Sequence, residues 1–387
     1  MFLNALEQQN PALIDAAVTL WRNGEIKPDT CVIDVDQFLQ NARELLSEAQ
    51  RHGIQLYAMS KQIGRNPRLC QMLLDLGYHG IVAVDFKEAR QLLRHGVAVA
   101  HIGHLVQPPQ SMLAEMLQHR PEVITVYSLE KARSISDVAQ QLGIVQPLLL
   151  KVTRAGDALY SGQEGGFDLS DLPQVISQLR ELPGIRIAGV THFPCMQYNP
   201  LRQSTLPTAN MATLLAARDL LIAQGIVPTQ INAPSASSCE TLPQLAALGV
   251  THAEPGHALT GTTPANQHGE GREKIAMLYL SEVSHQFAGR AYCFGGGYYR
   301  RGNLEHALVI DGAHRQRDKV IEPDITSIDY CLQLSESHPV GSAVVMCFRT
   351  QVFVTRSDVA LVSGVASGKP LLIGLYDSLG NEVKGEA

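Results

Sequence analysis

Four stretches of this sequence set reactive side chains among neighbours that would tune them. Lys61 closes the run YAMSK, directly after a string of β-forming residues. A lysine desolvated at a strand end has a lowered pKa and suits Schiff-base formation, whereas a lysine at a wet rim does not; position alone allows either. His192 stands in GVTHF and reads as a satisfied core histidine or as a ring packed on a planar cofactor. Residues 232–240, NAPSASSCE, are small and hydroxyl-rich just ahead of a helix expected from about Glu240. Their backbone N–H groups and serine hydroxyls suit an anion, and the plain alternative is a helix cap. Glu254, in HAEPGHALTG, reads by itself as a rim carboxylate. Metal chemistry is disfavoured. His192 and Cys195 are three apart and His338 precedes Cys347, but among 14 histidines such pairs arise by chance, so no metal is expected.

The elements that must carry these residues follow from periodicity. From residue 54, short β-rich runs alternate with helical stretches: 54–60, 80–85, 98–106, 122–127, 147–152, 185–193, 229–233 and 250–255. In the helical stretch 66–77, Asn66 is an N-cap candidate, Pro67 stands at the first helical position and Gly77 is a stop. Residues 86–96 and 129–143 repeat the form. Eight strands separated by helices predict an α/β fold, a (β/α)8 barrel, with a doubly wound open sheet as competitor. In such a barrel, chemistry collects at the C-terminal ends of strands. Lys61, His192, the serine-rich run and Glu254 follow the first, sixth, seventh and eighth strands. The earlier run 30–36 is left over. Beyond about residue 276 the helical period stops and strand-like runs with turn signals take over. The expected division is a helical leader over 1–27, a barrel over 28–275 and an all-β domain over 276–387, which would receive the leftover strand.

Composition narrows the function. The 387 residues are 45% hydrophobic and 18% charged, with 31 basic against 37 acidic side chains and a net charge of −6. That argues against general nucleic-acid binding, a polybasic membrane surface and disorder. No run is long and apolar enough for a membrane helix, and the start, with Glu7 and no basic region, does not read as a signal peptide. Seven cysteines without a CxxC pair make a disulfide framework improbable. A cytoplasmic enzyme is expected.

YAMSK, LLLKVTRAGD (148–157), GVTHF, NAPSASS and AEPGHALTG together resemble the fold-type III pyridoxal-phosphate enzymes, the alanine racemase and ornithine decarboxylase superfamily. The resemblance spans about 28–380 and is greatest to the YhfX-type group. It implies pyridoxal 5'-phosphate as cofactor, with Lys61 as its Schiff-base lysine and His192 packed on its ring. Ser235, Ala236 and Ser237 would hold the phosphate, followed by Gly256 and Thr260, the latter where alanine racemase has a tyrosine. Glu254 stands where alanine racemase has arginine and the decarboxylase branch has glutamate. A carboxylate there favours a protonated ring and a quinonoid intermediate. Lys61, His192 and Glu254 are therefore the expected catalytic residues.

The tyrosine that serves as second base in racemases aligns with Phe294, which carries no proton; Cys293, Tyr298, Tyr299 and Cys347 are the substitutes within reach. The metal-binding His-x-Cys pair of related D-amino-acid lyases is missing from SHPVGSAVVMCFRT. What the resemblance implies is an amino-acid racemase or epimerase acting at the α-carbon of an amino acid or amine, as a homodimer with shared active sites. The alternatives are a decarboxylase of the ornithine/diaminopimelate type and a non-catalytic cofactor-binding protein.

Overall fold

Residues 3–22 fold as two helices because their apolar positions recur at helical spacing. In the computed structural model, which describes residues 1–383, α1 (Leu3–Gln9) and α2 (Pro11–Arg22) are followed by β1 (Thr30–Asp34) and α3 (Val35–Arg51). Pro11 begins α2, where its missing N–H costs nothing. Leu13, Ile14, Ala17 and Leu20 form one buried stripe on that helix. Between the two helices, Asn10 donates through Nδ2 to Asp34 (2.9 Å) and to the Ile275 carbonyl (3.1 Å).

All eight runs between 54 and 255 become strands: β2 (Gln55–Met59), β3 (Gly80–Ala83), β4 (Val99–Ile102), β5 (Val123–Val126), β6 (Gln146–Thr153), β7 (Ile185–Thr191), β8 (Gln230–Asn232) and β9 (His252–Ala253). Each pairs in parallel with the next, and β9 pairs with β2, which closes the barrel. The closure is short: His252 lies opposite Gln55 and Ala253 opposite Leu56. Near-continuous burial along β3 and β5 suits strands covered on both faces. Where β7 passes β8 only glycine fits, since a Cβ at Gly189 would stand 1.7 Å from the Gln230 carbonyl oxygen. The helices between strands start as expected: α4 (Pro67–Leu76) opens on Pro67, and Gly77 follows it at φ +105°. Asp85 caps α5 (Phe86–Arg94) and Ser128 caps α6 (Leu129–Gln141).

The strands that follow the barrel are β10 (Met277–Phe287), β11 (Arg290–Phe294), β12 (His306–Asp311), β13 (His314–Ile321), β14 (Cys331–Leu334), β15 (Ala343–Met346), β16 (Asp358–Ser363) and β17 (Leu371–Tyr376). They form one sheet in the order β11-β14-β13-β12-β15-β10-β1-β16-β17, and a β10–β11 pairing closes six of them on themselves. The leftover strand, β1, lies antiparallel to β10 and parallel to β16.

The two compact units are therefore discontinuous in sequence. Met1–Ala42, Lys61–Asn66 and His257–Ala387 make the β unit, and Arg43–Ser60 with Pro67–Gly256 make the barrel unit. This differs from the linear division expected at residues 27 and 275. The leader is not separate: Phe2, Leu6, Leu13 and Leu20 share a core with Val32, Leu278, Leu308 and Val345. The last four residues of the expected 276–387 domain lie outside the described residues.

Candidate active site

The C-terminal ends of the barrel strands gather ionisable groups around Glu254, which follows β9 and has a fully buried side chain. Its Oε1 accepts hydrogen bonds from His101 Nδ1 (2.8 Å) and Asn232 Nδ2 (2.7 Å). His101, on β4, is held at its other nitrogen by Thr125 Oγ1 (2.6 Å), and Asn232 ends β8. The second oxygen, Oε2, is buried without a hydrogen-bond partner; His104 Nε2 stands at 3.8 Å, an ion-pair distance too long for a hydrogen bond. Burial raises the carboxyl's pKa, but His104, His101 and the two hydrogen bonds outweigh it and hold the group down at about 2. Glu254 is therefore an anion at neutral pH, not a rim carboxylate.

His192, just past β7, has both ring nitrogens committed. The Phe193 N–H donates to Nδ1 (2.9 Å), so Nε2 carries the proton and donates to Asp157 Oδ2 (2.8 Å). Asp157 is fixed in turn by Thr213 Oγ1 (2.8 Å) and the Arg154 N–H (2.7 Å). Burial lowers the histidine's pKa against the raising effect of Asp157, which leaves a neutral ring with only its faces to offer. Lys151, in β6 opposite Thr191, is buried with Nζ 4.3 Å from the Tyr127 ring centroid and 2.8 Å from the Gln163 carbonyl. Desolvation lowers its pKa to about 8. Asp157 and Lys151 lie inside LLLKVTRAGD, yet sequence reasoning did not single them out. A lysine within an apolar strand was the available signal.

The serine-rich run is only partly as expected. Ser235 spends its hydroxyl on Met196, accepting from N–H (3.0 Å) and donating to C=O (2.9 Å). Ser237 Oγ accepts the Glu254 N–H (3.0 Å), which leaves its proton for another acceptor. Ser235 and Ala236 hold φ of +105° and +47°, strain of the sort that gathers at ligand sites. The helix behind them starts at Leu242 rather than Glu240. Gly256, buried, is the last residue of the barrel unit.

Lys61 and Thr260 belong to the β unit, so the structure does not group them with the residues above. Lys61 opens a short 3-10 turn two residues after Met59, whose N–H donates to the Pro255 carbonyl (3.0 Å) beside Glu254. Thr260 is buried and donates to the His257 carbonyl (3.1 Å). Phe294 is 37% exposed. Burial pushes the Cys293 and Cys347 thiols up to about 12, which removes both as bases at neutral pH. The pairs weighed as metal ligands are engaged otherwise: Cys195 Sγ donates to the His192 carbonyl, and His338 Nε2 lies 2.8 Å from Asp318. His101, His104 and Glu254, by contrast, bring three potential ligand atoms within 4.8 Å of one another, a grouping no short spacing announces.

A closed parallel barrel with its ionisable groups at the strand C-termini agrees with the family comparisons. Residues 33–264 match the alanine racemase N-terminal domain and 278–372 the YhfX-like C-terminal domain, so the chain belongs to the alanine racemase N-terminal-domain family. Within it, the chain is 55% identical to the uncharacterized protein YhfX of Escherichia coli (strain K12), across 99% of this chain and 100% of that one. Solved structures of the same fold include a D-threonine aldolase from Filomicrobium marinum (TM-score 0.65, 14% identity, 92% of this chain and 95% of that one). A D-threo-3-hydroxyaspartate dehydratase from Delftia sp. HT23 (0.66, 18%, 90% and 97%) and the alanine racemase of Clostridium difficile 630 (0.64, 16%, 91% and 99%) are also similar. Among the described residues no helix is long and apolar enough to cross a membrane.

Proposed function

We propose that this chain is a pyridoxal-phosphate-dependent enzyme acting at the α-carbon of an amino acid, as a racemase or epimerase. The observation that carries the cofactor reading is Glu254 Oε2, an anionic oxygen buried without a hydrogen bond. Leaving such a group unpaired is expensive, and a protonated pyridine nitrogen is a donor of the charge it lacks. Bound pyridoxal phosphate would supply an electron sink for negative charge at the α-carbon. Glu254, anchored through Oε1, would hold a proton on a pyridine nitrogen bound beside Oε2. Lys61 supplies the amine, Ser237 keeps a hydroxyl proton for the phosphate, and His192 offers a ring face whose orientation Asp157 fixes. Borohydride treatment of the purified yellow protein should add one reduced cofactor to the Lys61 peptide; an unchanged mass would refute the cofactor reading.

A decarboxylase is the second reading, favoured by Phe294 and by thiols too basic to serve at neutral pH. Incubation with mixed amino acids in deuterated water separates the two. Deuterium at the α-carbon with loss of optical activity supports the racemase, and carbon dioxide release supports the decarboxylase. Cofactor uptake with neither outcome points to a carrier.

A further inference from the structure

At the N-terminal end of the barrel strands, a second cluster forms from residues far apart in sequence. His79 immediately precedes β3, Glu122 immediately precedes β5, and His252 is the first residue of β9. We propose that His79, Glu122 and His252 bind one divalent transition-metal ion, of the zinc class, that clamps the short β9 closure of the barrel.

Their three potential ligand atoms lie within 4.8 Å of one another, and His79 Nε2 is 2.8 Å from Glu122 Oε2. Two imidazoles and a carboxylate form a donor set suited to zinc, with water as fourth ligand. Two of the three also have the outer partners that orient metal ligands. Glu122 Oε1 accepts from Gln230 Nε2 (2.9 Å), which reaches Tyr57 Oη as well (2.8 Å). His252 Nδ1 lies 2.8 Å from Thr251 Oγ1. That hydroxyl has the Ile231 carbonyl as acceptor (3.3 Å), so it can accept a hydrogen bond from Nδ1–H, which leaves Nε2 with a free lone pair.

Two further observations point to a ligand. Gln230 Oε1 is buried without a partner, an acceptor that a metal-bound water would satisfy. The cluster is also reachable: the His79 and Glu122 side chains are 41% and 37% exposed, and Glu122 lines an open cavity of about 420 Å³. The gain is structural. β9 meets β8 only at His252 opposite Asn232 and meets β2 over two residues, so a metal tying His252 to the starts of β3 and β5 would reinforce the weakest seam.

The test uses the full chain, stripped with EDTA and titrated with zinc, with metal per chain read by mass spectrometry and Tm by calorimetry. One zinc per chain and a raised Tm are expected. Affinity should fall at least about tenfold in His79→Ala and in Glu122→Gln. Both positions are partly exposed, so at least one variant should fold. His104→Ala, in the His101–His104–Glu254 cluster, should bind as the parent does. No stoichiometric zinc, zinc uptake unchanged in both first variants, or uptake lost only in His104→Ala would each overturn the proposal.

Discussion

Glu254 shows how a single buried carboxylate governs a site. Three conditions hold together: full burial, two hydrogen bonds on one oxygen and none on the other. Glu254→Gln keeps the shape and removes the charge, and turnover should drop on the order of a hundredfold, checked by steady-state kinetics on the substrate found. The pH dependence of stability follows from the same shift. The folded carboxyl titrates at about 2 against an ordinary 4.5, so its ionised form stabilises the fold fully above about pH 4.5. That contribution fades as pH falls toward 2. Urea titrations should show the gap between the parent and Glu254→Gln widest near neutrality and closing over that window. That Lys61, His192 and Glu254 follow strand ends was readable because each stands directly after a β-rich run. His101 was not, because its partner is 153 residues away and no local pattern joins them.

At the scale of elements, a helix start positions the strand end that precedes Lys61. Asp85 and Glu88 have the spacing of a capping box, in which Glu88 would fold back on the N-cap residue. Asp85 does cap α5, accepting the Glu88 N–H (2.7 Å). Glu88, fully buried, instead takes the Val84 N–H (2.7 Å) and the Ser60 hydroxyl (2.5 Å). It thus ties the ends of β2 and β3 together, next to Lys61. Glu88→Ala would leave buried donors unpaired and should cost about 3 kcal/mol, measured by urea denaturation. The strand and helix runs were readable from hydrophobic period. The service of Glu88 was not, because a capping box and a strand-end anchor look identical in sequence.

For the whole molecule, the N-terminal helices are core rather than appendage. Leu13 is fully buried in a cluster that includes Leu278, Leu308 and Val345. Leu13→Ala should therefore cost about 2–5 kcal/mol, seen as a lowered Tm, whereas a free-standing leader would tolerate it. The sequence by itself determined the eight strands and their order, because alternation and turn residues act over a few positions. It also determined the residues at the strand ends, because a parallel barrel sends every C-terminus the same way. Only the tertiary structure decided which ionisable groups meet. Glu254 with His101, His192 with Asp157, and His79 with Glu122 and His252 are pairings made by barrel closure, which brings together residues that no local period connects. The same holds for β1, whose place between β10 and β16 depends on a free sheet edge supplied more than 200 residues later.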